Sequence, residues 1–328
     1  VIFGCLVEVA SNLDSPSFFF IDSYHWENPA LSTIQNDDYD QFEEQFDPMR
    51  SDRQARRSRK VKKQHQPKKV DEEVIQEIAD TEGLEGGFKT TYQPSKYEQG
   101  WLLSSIKTFY DQQLITDVLS LVRGGKEASV YCCEADPSTG LDLIAAKVYR
   151  PRMFRQLRND KMYREGRDIL TSEGRAVKKS DHRIMRAVGK KTAFGAQVSH
   201  TSWLMHEYNT LGQLHDLGAA VPKPIGHSEN AILMSYCGDE EIAAAPLSEI
   251  QLESDEVEPL FAEVMRNIEL MLEHFMIHGD LSAYNILYWD GQINLIDFPQ
   301  VTNSQTNINA YSILQRDITR VCEYFARQ

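Results

Sequence analysis

The chain has 328 residues, 35 Lys and Arg against 49 Asp and Glu, a formal net charge of -14, and 41% hydrophobic and 10% aromatic residues. That content is too apolar for a wholly disordered chain and allows either two domains or one large one. No uncharged apolar run approaches the ~20 residues of a membrane-spanning helix, so a soluble protein without a membrane partner is expected.

The opening VIFGCLVEVA is apolar, but it has no basic flank and carries Glu8, which argues against a secretory signal. Cys5, Cys132, Cys133, Cys237 and Cys322 show no C-x-x-C spacing, so neither a zinc site nor a disulfide framework is expected, and a reducing, cytoplasmic location fits. Asn36 to Asp47 is acidic with interspersed aromatics, Arg50 to Lys69 carries ten Lys and Arg with one acid, Asp52, and the chain then turns acidic again. Alternating charge blocks with little apolar periodicity predict a low-complexity, largely disordered arm over 1–95. A second basic stretch, Arg150 to Lys191, has fourteen Lys and Arg against five acids, which leaves 11 basic and 43 acidic residues elsewhere. A polyanion such as RNA is therefore expected to meet the chain only at 50–69 and 150–191, although merely solvated segments would have the same composition.

From Asp117 the pattern becomes that of a folded α+β domain. Asp117 to Val122, Ala128 to Cys133 and Leu141 to Tyr149 are β-prone runs separated by Gly124-Gly125 and the turn signal DPSTG, which predicts an antiparallel meander. Thr201 to Leu217 has apolar residues at 204, 208, 211 and 214, the period of one helix face, and ends at Gly218. Two strands are predicted next, the second over 232–236. Ser254 is the expected cap of a long helix with a buried stripe at 257, 260, 261, 264, 268, 271, 272 and 275.

His278 to Asp297, HGDLSAYNILYWDGQINLID, is the segment with chemistry. Asp290-Gly291 between two β-prone runs predicts a two-residue hairpin turn with positive φ at both positions, and its register sets Asn285 opposite Ile296 and Asp297 opposite Tyr284. Asn285 and Asp297 then share one end of the hairpin, with Asp280 on the loop leading in. Two carboxylates and an amide oxygen are the hard ligands that suit Mg²⁺ with a phosphate-bearing substrate. His274 and His278 also have an i, i+4 metal spacing, but H-E-x-x-H is missing and the second His falls where the helix should end.

Protein kinases and related phosphotransferases use an Asp, an Asn five residues later and a metal-binding Asp after a hairpin. Here those are Asp280, Asn285 and Asp297. Lys147, on a strand 22 residues after Gly125, matches the strand lysine, and Glu207 on the 201–217 helix is its natural partner, though a helix Glu by itself says little. VRGGKEASVY is not G-x-G-x-x-G, yet it sets Gly125, Lys126 and Ser129 between two strands, where donors can meet phosphates.

Taken together, GGKEASVY (124–131), AAKVYRPRMF (145–154), HEYNTLGQLHDLG (206–218), VPKPIG (221–226), ILMSYCGDEE (232–241), HGDLSAYNIL (278–287) and RDITRVCEYF (316–325) resemble the RIO-type atypical protein kinases. The likeness covers about residues 100–328 and is nearer the first RIO branch, since no winged-helix pattern precedes it. It implies a protein-kinase-like two-lobed fold over 96–328, with an N-lobe of antiparallel sheet plus helix (about 96–234) and a reduced helical C-lobe (about 238–328) without an activation segment.

The resemblance also implies ATP with Mg²⁺ or Mn²⁺. Gly125, Lys126, Ser129 and Val130 would cover the nucleotide, Lys147 would contact its phosphates with Glu207 positioning it, and Met234, Ser235 and Tyr236 would form the gatekeeper and hinge. Asp280 would be the catalytic Asp, and Asn285 and Asp297 the metal ligands, with Asp297 itself able to accept phosphate during turnover. The expected function is serine/threonine protein kinase, acting on a protein or itself, or ATPase, with a role in maturation of the small ribosomal subunit for eukaryotic and archaeal members. Ser235 stands where the family usually has an acid, and Phe298-Pro299 replaces the usual Met-Gly or Phe-Gly.

Only 31 residues follow Asp297, too few for the activation segment and docking helices of a conventional peptide kinase. Two alternatives stay open. One is a small-molecule phosphotransferase of the aminoglycoside or choline kinase type, and the other is a nucleotide-switched RNA or ribosome-binding module with little turnover.

Overall fold

The computed structural model describes residues 90–125, 127–150, 167–178, 180–190 and 192–328. The expectations for the arm up to residue 89, for Lys126, and for the basic segments 50–69 and 151–166 lie outside the described residues.

A five-stranded antiparallel sheet forms the first half: β1 (Ile115–Gly124), β2 (Ala128–Ala135), β3 (Leu143–Tyr149), β4 (Pro224–His227) and β5 (Ala231–Ser235), in the order β1-β2-β3-β5-β4. The predicted meander is its first three strands. Gly125 turns β1 into β2 with its N–H on Ala128 O at 2.9 Å, and a Cβ there would lie 2.7 Å from that same oxygen, so no side chain is accommodated. Between β2 and β3 the Asp136 carboxylate accepts the Ser138 N–H and Gly140 takes φ 71°, as the DPSTG signal requires.

Helix α1 (Lys96–Asp111) covers one face of the sheet. Leu102, Leu103, Ile106 and Phe109 are buried against Val118, Tyr131, Ile144, Val148 and Leu233. Each such side chain contributes about 1.5–3 kcal/mol by leaving water. Residues 90–95 also belong to this unit. Tyr92 N–H donates to Val118 O at 2.8 Å, and Thr91 bonds the Asp117 carboxylate through its N–H at 2.7 Å and its hydroxyl at 2.5 Å. The folded region therefore reaches at least to Thr90, past the boundary expected at 95.

Helix α2 (His182–Gly189) leads into α3 (Ala193–Asp216), which begins eight residues before the predicted start because Thr192 caps it, its hydroxyl accepting the Gly195 N–H at 3.1 Å. Leu204, Leu211 and Leu214 are buried as the periodicity required, and Gly218 ends the helix at φ 79°.

The second half is built around α4 (Val257–Glu273) and α5 (Ala310–Phe325), with short strands β6 (Ala245–Pro246), β7 (Met276–Ile277), β8 (Ile286–Trp289), β9 (Gln292–Leu295) and β10 (Thr302–Asn303). Ser254 does not cap α4. The residues after it make a turn, and the flanking residue is Glu256. Within the stripe Leu260, Phe261, Val264, Ile268 and Met271 are buried together with Met265 and Asn267, whereas Phe275 lies past the helix end, exposed, at φ 59°. The β8–β9 register is the predicted one, from Ile286 opposite Leu295 to Trp289 opposite Gln292, with Asp290 at φ 47° and Gly291 at φ 73°. The architecture is α+β in two lobes, a sheet with α1 and α3 followed by a mainly helical part. No described helix is long and apolar enough to cross a membrane.

Candidate active site

β3 is buried along almost its whole length, and Lys147 is its one charged side chain, opposite Val130 on β2 and Ile232 on β5. Its ammonium lies 2.5 Å from Glu207 Oε1 and 2.5 Å from Asp297 Oδ1. Tyr149, two residues along the strand, donates its hydroxyl to the other Glu207 oxygen. Burial alone would pull the Lys147 pKa down, but Asp297 and Glu207 outweigh it and hold it above the ordinary lysine value. Burial keeps Glu207 above the usual carboxylate range against the pull of Lys147. For Asp297 burial acts upward and is overcome by Lys147, so its carboxyl lies below the ordinary value.

The hairpin delivers Asp297. Ile296 N–H donates to Asn285 O at 3.0 Å, continuing the register one pair beyond β8–β9, and Asp297 follows at φ 71°, a left-handed conformation sparsely populated by residues other than glycine. Asn285 turns its amide nitrogen onto Asp280 O at 2.8 Å, with Asp280 Oδ2 at 3.5 Å. The amide nitrogen is thereby committed to Asp280, and the oxygen is the end that a cation would meet. Asp280, Asn285 and Asp297 are brought together as the hairpin arithmetic required.

His278 is buried and neutral in character. Its Nδ1 accepts the Asp280 N–H at 3.3 Å, so Nε2 carries the proton to Ile296 O at 3.0 Å, and burial holds its pKa below the ordinary histidine value. With both ring nitrogens engaged and His274 exposed at the end of α4, the i, i+4 pair does not converge on a metal. Gly279 has φ 85°, and a Cβ there would meet Gln300 O at 2.4 Å. Asp280 is raised above the usual carboxylate range by burial, with Arg320 opposing.

On the sheet side, Val130 is half-buried and Ser129 buried, with Arg150 Nη2 at 3.5 Å from the Ser129 hydroxyl. Met234 is buried at the end of β5. Ser235 has its N–H on Lys223 O at 2.8 Å and its hydroxyl accepting the Lys223 N–H at 2.9 Å, so both donor and hydroxyl are engaged with the segment before β4. Burial and the neighbouring Cys132 push the Tyr236 phenol up to about 12. Lys126 lies outside the described residues.

The sequence did not single out Tyr149, Arg316, Asp317 or Arg320. Asp317 Oδ2 accepts the Gly279 N–H at 2.8 Å, Arg316 donates to Gly279 O, and Arg320 Nη1 donates to Asp280 Oδ1 at 3.0 Å. The available signal was the i, i+4 spacing of Arg316 and Arg320 on one helix face.

A strand lysine held by a helix glutamate, above a loop Asp and an Asn five residues on, defines the protein-kinase-like class of fold. Residues 147–328, more than half of the chain, match the RIO domain, and the chain belongs to that family. It is similar to a serine/threonine-protein kinase RIO1 of Chaetomium thermophilum (26% identity over 234 residues, 68% of this chain and 42% of the relative). It is likewise similar to a RIO-type serine/threonine-protein kinase Rio1 of Haloferax volcanii (30% over 207 residues, 62% and 61%) and a Rio2 of Methanocaldococcus jannaschii (32% over 171 residues, 48% and 62%). The chain thus spans less than two thirds of each of these relatives. Because relatives named Rio1 and Rio2 both match, the family is shown and the branch within it is not resolved.

Proposed function

We propose that this chain is an ATP-dependent, RIO-type serine/threonine protein kinase, transferring the γ-phosphate to a protein serine, to itself or to water. The observation that carries the reading is Lys147 bridging Glu207 and Asp297 beside the Asp280–Asn285 pair. Lys147, pre-formed as a cation, binds the α/β-phosphates, and Glu207 keeps it from swinging away. Gly125, Lys126, Ser129 and Val130 cover the nucleotide, and Met234, Ser235 and Tyr236 border its base. Asp280 orients the acceptor hydroxyl or water.

The donor set fits a divalent cation. One carboxylate and one amide oxygen, completed by substrate phosphates, is the sparse protein ligation that Mg²⁺ favours and Mn²⁺ tolerates. Asp297 and Asn285 would hold it, and when bound it neutralises charge on the phosphates. Lys147 must then share Asp297 with the metal. Asp297 is also the candidate for transient phosphorylation.

The test is ATP turnover by the purified chain with Mg²⁺ and with Mn²⁺, beside Asp280→Ala and Asp297→Ala. Both variants are expected to lose about 10²-fold or more, since each group acts mainly in the transition state. Parent-like turnover by both overturns the reading. A soluble phosphorylated small molecule as product would instead favour the phosphotransferase alternative.

The basic segments 50–69 and 150–191 are proposed to meet RNA of a ribosomal particle in a reducing cytoplasm, on the strength of charge and cysteine usage. RNA affinity is expected to fall steeply with salt and to lose most of that slope when 50–69 is deleted. A salt-independent affinity would remove the RNA reading and leave the kinase reading intact.

A further inference from the structure

Asp280 is gripped from α5. Over five residues of that helix, Arg316 donates to Gly279 O, Asp317 accepts the Gly279 N–H at 2.8 Å, and Arg320 Nη1 donates to Asp280 Oδ1 at 3.0 Å. The first two contacts fix the backbone just before Asp280, and the third fixes its carboxylate. The Arg320 side chain is 12% exposed and that of Asp280 35%, so the guanidinium is sheltered from water while the carboxylate stays partly accessible, and their charge-assisted bond directs the carboxylate. On the other side Asn285 holds the Asp280 carbonyl at 2.8 Å and only grazes Oδ2 at 3.5 Å, beyond a good hydrogen bond. One carboxylate oxygen is therefore committed and the other is weakly engaged.

We propose that Arg320 is a positioning residue for phosphoryl transfer: it fixes the rotation of the Asp280 carboxylate by occupying Oδ1, so that Oδ2 alone is presented to the acceptor hydroxyl or water. The proposal rests on the reading of Asp280 as the group that orients the acceptor. Arginine suits the task because its guanidinium is planar, always charged and pre-organised at the end of its stem. Without it the carboxylate can rotate and loses its direct ion-pair partner, with Arg316 the cation that stays nearby. A displacement on the order of 1 Å in a reacting group costs about 10²-fold in rate.

The experiment compares the 328-residue parent, Arg320→Met, Arg320→Lys and Asp280→Asn for kcat and KM toward MgATP, with equilibrium ATP affinity and thermal midpoint measured on each. Arg320→Met is expected to lower kcat by about 10²-fold while KM and ATP affinity stay within about twofold, and Arg320→Lys to regain about tenfold of that loss. A purely structural role would lower the midpoint and move KM and kcat together, and would gain nothing from Lys. If Arg320→Met does not fold, Arg320→Gln takes its place with the same expectations. The proposal is overturned by a kcat within about threefold of the parent, by a KM that rises in step with the fall in kcat, or by a Lys variant no better than Met. Parent-like turnover by Asp280→Asn would show instead that the reading of Asp280 is wrong. Loss in Asp280→Asn with none in Arg320→Met would leave that reading standing and remove only the role of Arg320.

Discussion

The Tyr149 hydroxyl decides which way Glu207 faces. It takes one carboxylate oxygen while Lys147 takes the other at 2.5 Å, so the carboxylate has no freedom to rotate away from the strand. Tyr149→Phe keeps the buried ring but leaves a buried carboxylate oxygen without its donor, a cost of about 1–3 kcal/mol. We expect a lower unfolding midpoint in urea and ATP affinity reduced about tenfold, as a Glu207 free to rotate holds Lys147 less well. Equal ATP affinity in Tyr149→Phe and parent would show that Lys147 needs no such support. Lys147→Met acts more severely, because it removes the cation that faces both Glu207 and Asp297. Breaking a buried pair in this way costs about 3–5 kcal/mol, and the urea midpoint of Lys147→Met should fall further than that of Tyr149→Phe. Of these two residues the sequence identified Lys147, from its spacing to Gly125. Tyr149 was hidden because an aromatic two positions along a buried strand looks like ordinary core.

At the scale of elements, the β8–β9 hairpin is where sequence and chemistry coincide. A two-residue turn fixes pairing arithmetic, so the Asp290-Gly291 signal alone was enough to bring Asn285 and Asp297 to one end. Helix limits were less legible. α1 went unread although Ser95 and Glu98 have capping-box spacing, since its charged and aromatic neighbours mask the apolar face at Leu102, Leu103, Ile106 and Phe109. α3 starts early because the Thr192 cap precedes a stretch, AFGAQVSH, with no clean apolar period. Ser254 looked like a cap, yet the acidic residues after it form a turn before α4. The hairpin gives a test at this scale. Gly291 has φ 73° with open space around it, so Gly291→Ala adds no clash and only the strain of a left-handed Ala, about 1–2 kcal/mol. We expect the denaturant midpoint to fall accordingly. Gly279→Ala should be worse, since its Cβ would strike the Gln300 carbonyl at 2.4 Å and displace the loop that carries Asp280. A Gly279→Ala variant as stable and active as Gly291→Ala would show that this loop yields easily.

Over the whole molecule, several polar contacts among the described residues tie the two lobes, among them Leu295 N–H donating to Ala220 O at 2.8 Å and Ala220 N–H donating to Asn267 Oδ1 at 2.7 Å. Lys147 reaches Asp297, Arg123 reaches Glu249 at 3.1 Å, and Arg167 donates to Pro299 O at 2.9 Å and to Val301 O. The pH dependence of stability reflects groups buried within the fold. His206 on α3, His227 on β4 and His278 are all held below the ordinary histidine pKa by burial. In the unfolded chain each protonates near 6.5, whereas folded they stay neutral to lower pH, so between those values the unfolded state binds more protons. Their contribution is fully present above about 6.5 and is lost as pH falls toward their folded pKa, at up to about 1.4 kcal/mol per pH unit for each group. Glu207, Asp280 and Asp317, raised by burial, act in the opposite sense, since the folded state then holds protons that the unfolded chain releases as pH rises past about 4. Histidine variants separate the two. His227 packs edge-on against Tyr208 at 4.7 Å, and His206 bonds Asp168 O at 2.8 Å, both away from Asp280 and Asn285. In urea titrations from pH 8 to pH 5, the double variant His206→Gln, His227→Gln is expected to start less stable and to lose less stability on acidification than the parent. Parallel pH curves for the two proteins would mean that neither histidine is held neutral by the fold, and would leave His278 as the buried histidine behind the loss of stability on acidification.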